Sequence, residues 1–239
     1  MKISIVIPCY NEAENIEELI VKIKDINDRN TDINFILVNN GSKDNTYELL
    51  KKYSKEYAFI KIINVDTNQG YGYGLIRGLE ESDGEFVGWI HADMQLAPIN
   101  LINIVYKLKE NNYEKNIFIK GKRSGRPLID KIFTFGMSLF ESILFKTRLY
   151  DIGAIPVLFH RDMIKYIDKA PKDFSIELYF YYIAKSVGKK IIRVPIVLSE
   201  RKAGKSSWNN GIISKFRQSF RIIKASINIK KYLGGMIYE

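Results

Sequence analysis

The first half of the chain alternates short apolar runs with segments of helical periodicity, and this alternation restricts the fold more than any other feature. Most of the runs are β-branched and unbroken, which is typical of strands buried on both faces. They lie at residues 3–7, 35–38, 59–65, 86–90 and 117–119. Apolar side chains between the first two runs recur at helical spacing at Ile16, Leu19, Ile20, Ile23 and Ile26. This pattern predicts an α/β, Rossmann-like fold with a mainly parallel sheet flanked by helices.

Polar or glycine-rich residues follow the predicted strands of this sheet. The segments are residues 8–12, 39–44, 66–74 and 91–95. In an open parallel sheet, ligands bind beyond the carboxyl ends of the strands, where such segments meet. We therefore expect one crevice at this edge of the sheet, lined by these four segments.

The second half of the chain changes to long amphipathic stretches at residues 130–145 and 212–231. The second stretch has an apolar stripe at Ile213, Phe216, Phe220, Ile223 and Ile227. Its other faces carry Lys215, Arg217, Arg221, Lys224, Lys230 and Lys231. A basic amphipathic helix fits a membrane interface, and it equally fits a helix that packs on a core with its charged side in water.

The charge of the chain is divided unevenly between its halves. Residues 1–119 carry 13 basic and 18 acidic side chains, and residues 120–239 carry 24 and 9, so the net charge of +10 combines −5 with +15. An excess of positive charge favours an anionic partner. Phosphate, a membrane surface and nucleic acid are the candidates for the second half.

Cysteine content and hydropathy indicate a cytosolic protein. Cys9 is the only cysteine, which excludes a disulfide scaffold and is typical of a reducing compartment. The longest uncharged stretch, residues 94–106, falls well short of the roughly 20 residues that cross a bilayer. The apolar run 3–7 behind Lys2 is too short for the core of a signal peptide, so we expect no export.

Several common site motifs fail on individual residues. The G-x-G-x-x-G frame that starts in the glycine-rich segment ends on Leu75, and a P-loop around residues 204–206 would need a glycine where Ser199 stands. The chain has only two histidines, His91 and His160, and lacks a nucleophile elbow. Zinc sites and Ser-His-Asp hydrolase chemistry are therefore disfavoured.

Asp93 and Gln95 lie two residues apart after a predicted strand. Both side chains point to one side if the extended backbone continues. A carboxylate and an amide oxygen suit a hard divalent cation, although an aspartate in this position is also common as a turn or helix cap. The pair therefore has both a metal-binding and a purely structural interpretation.

Four motifs occur together and in order: IVIPCYNE at 5–12, VNNGSKDNT at 38–46, NQGYG at 68–72 and HADMQ at 91–95. In this arrangement the chain resembles family 2 glycosyltransferases of GT-A fold. The Asp-x-Gln motif with Arg123, Asp151, Glu177-Leu178 and the R-x-x-G-x-S stretch at 201–206 resembles the dolichyl- and polyprenyl-phosphate sugar synthases. The resemblance covers residues 3–208, so we expect a GT-A domain at 1–210 and a basic amphipathic helix at 211–239.

The resemblance implies which residues bind the nucleotide of a UDP- or GDP-sugar donor. Pro8, Tyr10 and Glu12 would line the nucleotide site, and Asn39 or Asn40 would contact the base. The family usually has two aspartates at these last positions. An asparagine side chain can still hydrogen-bond a base.

The resemblance also implies a divalent cation, Mg²⁺ or Mn²⁺, bound by Asp93 and Gln95, with Asp93 serving both catalysis and donor binding. The family usually has an aspartate where this chain has His91. His91 would contact the ribose or a phosphate, or join a metal site that then favours Mn²⁺, or be hydrogen-bonded locally at the strand end. Gly70 is expected at the donor site, with a tight loop and close helix packing as its second interpretation.

Basic residues at positions 120–131 and 201–205 indicate phosphate binding when taken together. They are Lys120, Lys122, Arg123, Arg126, Lys131, Arg201, Lys202 and Lys205. The resemblance assigns catalytic roles to Arg123 and Arg201, which would hold the donor's leaving phosphates or the acceptor's phosphate. A planar guanidinium grips phosphate through two hydrogen bonds, which a lysine cannot do.

The acceptor follows from the presence or absence of a general base. Family members that use a hydroxyl acceptor commonly place a Glu-Asp pair where this chain has Phe174 and Ser175. A phosphate monoester is already anionic near neutral pH and needs no base. The sequence therefore favours a polyprenyl (dolichyl or undecaprenyl) phosphate acceptor, although Asp173 or Asp151 could serve as a base from nearby.

Three functions remain open from the sequence. The first is an inverting, metal-dependent transfer of a sugar to polyprenyl phosphate by a peripheral enzyme at the cytoplasmic face of the membrane. The second is the same enzyme with a saccharide hydroxyl as acceptor, in capsule or surface polysaccharide synthesis. The third is a non-catalytic basic module, although the chain has no aromatic RNA-binding pattern and we expect no nucleic-acid partner.

Overall fold

The computed structural model describes residues 1–29, 32–92, 98–125, 127–197 and 212–233. Asp93, Gln95 and Arg201 therefore lie outside the described residues, as do Arg126, Lys202 and Lys205. The strands are β1 Ile3–Cys9, β2 Ile33–Asn40, β3 Ile60–Val65, β4 Phe86–Trp89, β5 Ile117–Ser124, β6 Val157–His160 and β7 Lys190–Val197. The α-helices are α1 Ala13–Arg29, α2 Thr46–Glu56, α3 Tyr71–Glu80, α4 Pro98–Glu110, α5 Leu128–Leu144, α6 Ile176–Ser186 and α7 Ile212–Leu233, and a 3₁₀ helix spans Arg161–Lys169.

The seven described strands form one sheet in the order β3-β2-β1-β4-β6-β5-β7. The pairs β1/β2, β2/β3, β1/β4 and β5/β7 are parallel, and β6 is antiparallel to both of its neighbours. The predicted mainly parallel α/β sheet is thus confirmed. The strand order changes direction between β1 and β4, which is where sheets of this kind bind ligands.

Apolar side chains cover both faces of the sheet, as the unbroken strand runs predict. Ile3, Ile5 and Ile7 of β1 belong to one core cluster, whereas Val6 belongs to the cluster on the opposite face. The predicted inner face of α1 is confirmed, since all five of its residues are buried at Ile16, Leu19, Ile20, Ile23 and Ile26. Helices α1 and α4 cover one face, and α3 and α6 cover the other.

Helix α7 packs against α5 through a face that differs from the predicted stripe. Among its residues 219–233, whose side chains the structure describes, the buried ones are Ser226, Ile229 and Leu233. Of the predicted stripe, Phe220 is 73% exposed and Ile227 is 38% exposed. The side chains of Ile213 and Phe216 lie outside the described residues. None of the helices that the structure describes is long and apolar enough to span a bilayer.

Candidate active site

Two loops at the carboxyl edge of the sheet, one after β1 and one after β2, are joined by hydrogen bonds. The Asn11 backbone N–H donates to Ser42 Oγ over 3.1 Å, and the Lys43 N–H donates to Asn11 Oδ1 over 2.8 Å. Asn11 has a positive φ of 53°, which asparagine tolerates better than most residues. These reciprocal bonds fix the loop that carries Tyr10 and Glu12.

The carboxylate of Asp44 links the first turns of two helices. It accepts hydrogen bonds from the N–H of Ala13, the first residue of α1 (3.1 Å), and from the N–H of Thr46, the first residue of α2 (3.0 Å). The Thr46 hydroxyl donates to Asp44 Oδ1 (2.6 Å) and accepts from the Glu12 N–H (2.9 Å). Partial burial opposes ionisation of Asp44, but these hydrogen bonds hold its pKa below the usual value.

The predicted nucleotide residues at the end of β1 lie at this edge. Pro8 is partly buried, and Tyr10 is 43% exposed. Glu12 is partly buried and accepts a hydrogen bond of 2.6 Å from the side-chain amide of Asn15. The three residues thus present an exposed aromatic ring beside a carboxylate that the first turn of α1 holds in place.

Asn39 and Asn40 end β2 and are both buried. Asn39 Nδ2 donates to Asn64 Oδ1 (2.7 Å), and Asn39 Oδ1 accepts from the Ser42 N–H (3.2 Å). Asn40 Nδ2 donates to the carbonyl oxygen of Gly70 (3.0 Å). Asn40 Oδ1 is buried and has no hydrogen-bond partner within the described part of the chain.

The glycines at the start of α3 allow close packing. Gly70 has a φ of 113°, and a Cβ there would collide with the carbonyl oxygen of Lys172. A Cβ on Gly74 would lie 3.0 Å from Asn40 Cγ and 3.3 Å from Pro8 Cβ. The interpretation of the segment as a tight loop with close helix packing is therefore observed, and a role of Gly70 in donor binding stays a prediction.

His91 follows β4 and lies in an aromatic corner. Its ring meets the Tyr71 ring edge-on at 5.1 Å and the Phe174 ring at 6.5 Å between centroids. Tyr71 and Phe174 stack on each other at 4.3 Å, with 7° between their planes. His91 Nε2 is buried without a hydrogen-bond partner among the described residues, so the structure shows no local bond at this nitrogen.

Glu177, at the start of α6, is a buried hub that the sequence analysis did not assign to the site. Its Oε1 accepts hydrogen bonds from Trp89 Nε1 (2.6 Å) and from the Tyr71 hydroxyl (3.1 Å). Its Oε2 lies 3.4 Å from Lys120 Nζ, which also donates to the Ala154 carbonyl oxygen (2.7 Å). The hub thus joins α6 to β4, α3 and β5.

The expectation that Lys120 contributes to phosphate binding is wrong. Its side chain is fully buried and bonded to Glu177 and to the Ala154 carbonyl oxygen, so it cannot face a ligand from the surface. Burial lowers the pKa of Lys120 to about 8, although the Glu177 charge opposes this shift. Lys120 is therefore a core residue.

Arg123 is held by the buried carboxylate of Asp151. The Arg123 Nε donates to Asp151 Oδ1 (2.6 Å), its second guanidinium nitrogen pairs with the same oxygen, and its backbone N–H donates to Oδ2 (2.9 Å). Arg193 approaches Oδ2 at 3.5 Å. Burial alone would raise the pKa of Asp151, but the two guanidinium charges and these bonds lower it. Asp151 is thus an ionised anchor with both oxygens engaged.

A cavity of about 630 Å³ lies between the end of β4, Arg123 and helices α5, α6 and α7. Its polar lining includes His91, Arg123, Thr134, Asp173 and Arg221. Its apolar lining includes Phe133, Met137, Ile152, Leu178 and Ile222. The structure therefore brings His91 and Arg123, two predicted site residues from separate motifs, to one cavity.

The two alternative candidates for a general base differ in their surroundings. Asp173 is exposed and lines the cavity, and its Oδ1 accepts hydrogen bonds from both the N–H (2.9 Å) and the hydroxyl of Ser175. Asp151 is bonded to Arg123 as described. Of these two candidates, Asp173 lines the cavity and Asp151 does not.

Glu141 of α5 is a second buried carboxyl group at the cavity wall. It is 2% exposed and accepts a hydrogen bond of 3.2 Å from the Ser226 hydroxyl of α7. Burial raises its pKa to about 8, and the bond from Ser226 offsets this only in part. Glu141 is therefore protonated at neutral pH and carries no charge into the cavity.

The outer face of α5 is apolar and exposed. Five large side chains at helical spacing are 51% to 74% exposed, namely Leu128, Ile132, Phe135, Leu139 and Ile143. Isolated exposed apolar residues are ordinary, but a contiguous stripe on one helix marks an interaction surface. The sequence predicted an amphipathic stretch at residues 130–145 but did not indicate what its apolar face contacts.

The chain matches the family model described as glycosyl transferase family 2 over residues 4–159. It is 27% identical to the dolichol-phosphate mannosyltransferase of Pyrococcus furiosus over 234 residues, which cover 94% of this chain. The chain spans 64% of the length of that relative.

Two solved structures have the same fold. Glucosyl-3-phosphoglycerate synthase from Mycobacterium tuberculosis, in complex with Mn²⁺, UDP-glucose and phosphoglyceric acid, is 18% identical with a TM-score of 0.71, over 95% of this chain and 79% of that one. A mannosyltransferase from Pyrobaculum calidifontis, in complex with GDP-mannose and Mn²⁺, is 17% identical with a TM-score of 0.64, over 99% and 70%. The predicted GT-A fold is confirmed, and the extent of the family match shows that the chain belongs to glycosyl transferase family 2.

Proposed function

We propose that the protein transfers a sugar from a nucleotide-diphosphate sugar to a polyprenyl phosphate, with inversion at the anomeric carbon. The observation that carries this proposal is that His91, Arg123 and apolar side chains of α5 and α7 line the same cavity. Such a cavity suits a phosphate that enters on an apolar chain. The similarity to a dolichol-phosphate mannosyltransferase supports this reading of the site.

The donor nucleotide is proposed to lie at the carboxyl edge of β1 and β2. Pro8, Tyr10 and Glu12 would line its site, and Asn39 or Asn40 would contact the base. Asn39 already uses both ends of its amide within the fold, whereas Asn40 Oδ1 has no bonded partner among the described residues. Asn40 is therefore the stronger candidate for the base contact, since a buried acceptor gains most from a new donor.

The family resemblance implies a divalent cation, and the donor atoms at the end of β4 fit one. His91 Nε2 is a buried nitrogen without a partner among the described residues, and Asp93 and Gln95, two and four residues later in the sequence, would supply oxygen ligands. When bound, the cation would neutralise charge on the leaving diphosphate. Solved structures of this fold that contain Mn²⁺ support this assignment.

The cationic side chains of this chain would bind and orient the phosphates. Arg123, fixed by Asp151, presents a preorganised guanidinium at the cavity, where low local polarity strengthens its attraction for a phosphate. Arg201 is proposed as the second such group. One displacement by the acceptor's phosphate oxygen on the face opposite the nucleotide would invert the anomeric centre.

The carboxylates near the cavity favour a phosphate acceptor over a hydroxyl acceptor. Phe174 and Ser175 stand where a Glu-Asp base pair would be expected, and Asp151 is engaged by Arg123. A phosphate monoester needs no base. Asp173 is the one observation that favours a saccharide hydroxyl acceptor as the second candidate, because it lines the cavity with a carboxylate.

A peripheral position at the cytoplasmic face of a membrane is part of the proposal. The apolar stripe of α5 is exposed, and the neighbouring α7 carries six basic and no acidic residues. Such a surface would meet apolar lipid through one helix and anionic head groups through the other. We propose the division into a catalytic domain at 1–210 and a helix at 211–239 on the same grounds.

Product extraction tests the proposed reaction. Purified protein with Mn²⁺, polyprenyl phosphate and radiolabelled UDP- or GDP-sugars should give label that moves into organic solvent, and Asp93→Ala should abolish it. Asp173→Asn should retain turnover. A product that stays in water after extraction, formed from a saccharide acceptor and lost in Asp173→Asn, would replace this proposal with the second candidate.

A further inference from the structure

The Glu177 hub contains charged groups that the proposed chemistry does not use. Lys120 is 0% exposed and Glu177 is 5% exposed. A buried ion pair is weak support for stability, because desolvation of both charges offsets their attraction, and apolar residues of similar size often stabilise a core as well. Stability alone therefore does not explain the buried pair, and the side chains that it holds in place suggest another role.

Glu177 holds the aromatic corner around His91. One carboxylate oxygen, Oε1, accepts bonds from Trp89 at the end of β4 and from the Tyr71 hydroxyl at the start of α3. The Tyr71 ring stacks on Phe174 and meets the His91 ring edge-on. His91 and Glu177 both line the cavity. The orientation of the imidazole thus depends on a tyrosine whose hydroxyl is fixed by Glu177.

Lys120 orients the carboxylate from the opposite side. Its Nζ lies 3.4 Å from Glu177 Oε2 and donates to the Ala154 carbonyl oxygen. With Oε2 directed toward Lys120, Oε1 faces Trp89 and Tyr71. Lys120, Trp89 and Tyr71 together fix the orientation of the Glu177 carboxylate. The position of Oε1 in turn fixes the hydroxyl end of the Tyr71 ring.

We propose that Glu177 is a positioning residue of the donor site, which holds the Tyr71 ring through its acceptor oxygen and thereby fixes the His91 imidazole, two residues before Asp93 in the sequence. This inference rests on the proposed donor site at the end of β4. It assigns no direct contact with substrate to Glu177. Its consequence is that the acceptor oxygen at position 177, and not the buried charge, matters for donor binding.

Two double variants of equal net charge separate the effect of the acceptor oxygen at position 177 from the effect of the buried ion pair. Lys120→Met/Glu177→Gln keeps an acceptor oxygen for Trp89 and Tyr71, whereas Lys120→Met/Glu177→Leu removes it. We expect the Gln variant to keep the wild-type KM for the nucleotide sugar. The Leu variant should raise that KM by about tenfold, the usual effect of losing a group that orients a ligand-binding side chain. In both variants the acceptor KM should stay at the wild-type value.

A milder pair of variants covers the case in which the double variants do not fold. Tyr71→Phe removes the hydroxyl that Glu177 holds and should raise the donor KM about three- to tenfold, the equivalent of one hydrogen bond. Tyr179→Phe is the matched control, because its hydroxyl donates to the Tyr166 carbonyl oxygen (2.8 Å) away from the cavity. The control should leave both KM values unchanged.

Imidazole resonances provide a readout that does not need activity. The chain has only two histidines, so the ring signals of His91 and His160 can be distinguished by substitution. Because the Tyr71 ring stands edge-on to His91, its displacement changes the ring-current shift at the imidazole. Tyr71→Phe should therefore move the His91 signals and leave those of His160 in place, and Tyr179→Phe should move neither.

The outcomes separate this inference from the proposed function. If the wild type neither binds nor turns over any nucleotide sugar, the proposed function fails. An active wild type whose Tyr71→Phe variant keeps both the donor KM and the His91 resonances would overturn the positioning role alone. Equal donor KM values for the Gln and Leu double variants would also overturn it, since the acceptor oxygen would then have no effect.

Discussion

Two regions of the molecule are built differently, namely the loops that follow β1 and β2 and the helices α5 and α7, and residues of α5 and α7 line the cavity. On the side of β1 and β2, backbone and side-chain hydrogen bonds connect one loop to the next, as between Asn11, Ser42 and Lys43. On the side of α5 and α7, apolar surface predominates, and the outer stripe of α5 remains exposed. The first region is thus held together mainly by hydrogen bonds, whereas the second exposes a stripe of apolar side chains.

Their carboxyl groups differ in the same way. Hydrogen bonds hold the pKa of Asp44 low on the polar side against partial burial, and burial raises the pKa of Glu141 to about 8 on the apolar side. The polar side thus stabilises the charged form of Asp44, and the apolar side stabilises the neutral form of Glu141. This contrast fits an enzyme that receives a polar donor and an apolar acceptor from opposite directions.

The largest effect is expected at Arg123, which lines the cavity. Arg123→Ala should lower kcat/KM by about 10²- to 10³-fold, because a preorganised cation for the phosphates would be lost. Steady-state turnover of radiolabelled sugar nucleotide measures this. Arg29→Ala, at an exposed arginine of α1 paired with Asp25, is the control and should keep full turnover. A loss of less than threefold at Arg123 would place the phosphates elsewhere.

The exposed stripe of α5 should control binding to lipid. Ile132→Ser/Phe135→Ser should weaken the affinity for vesicles with anionic lipid by about thirtyfold, since two apolar side chains lose about 2 kcal/mol of burial. Co-sedimentation with the vesicles measures this effect. Val21→Ser, at a 67% exposed position on α1, should leave the affinity unchanged. Equal vesicle binding by wild type and double variant would remove α5 from the membrane surface.

The pKa of Glu141 predicts a pH dependence of stability on the apolar side. The folded state keeps a proton on Glu141 up to about pH 8, while the unfolded chain releases it near the ordinary glutamate pKa of 4.5. The free energy of unfolding should therefore fall as pH rises from about 4.5 to 8. Glu141→Gln should remove this slope and be more stable at pH 9 by about 1–3 kcal/mol, as measured by urea unfolding. Glu114→Gln, at an exposed position, is the control and should keep the wild-type slope.

The smallest effect is expected on the polar side. Thr46→Val removes the hydroxyl between Asp44 and the Glu12 N–H and should cost about 1 kcal/mol of unfolding free energy. Urea unfolding at pH 7 measures this effect. Ser54→Ala, at an exposed hydroxyl on the Lys51 carbonyl oxygen, should be close to neutral. If Thr46→Val leaves the free energy of unfolding unchanged, the Thr46 hydroxyl does not help to hold the loops on this side.

The sequence predicted the parts of the fold that depend on local pattern. Unbroken β-branched runs identified five strands of the sheet, and helical spacing identified the buried face of α1. Strand β6 was not identified, because Val157–His160 has only four residues and its antiparallel pairing depends on distant neighbours. Strand β7 was also missed, because Arg193 and Pro195 interrupt its apolar run.

The site was predictable where residues act alone and less so where they act in pairs. The motifs identified His91 and Arg123, which share a cavity. The pairing of Lys120 with Glu177 joins residues 57 positions apart, which no local pattern reveals. Alternation along β5 offered one signal, since Lys120 stands two residues after the buried Phe118 and so points to the same core face. In α7 two apolar faces compete, and the neighbouring helix decides which one is buried.

The hydrogen bonds to Asp44 couple the local unfolding of the first turns of α1 and α2. A single carboxylate accepts from the first N–H groups of α1 and α2, so neither helix start can loosen without releasing the other. Amide protons of the two first turns should exchange with solvent deuterium as one cooperative unit, at matching rates. The carboxyl edge of β1 and β2 would then open as a pair of helix ends rather than as separate loops.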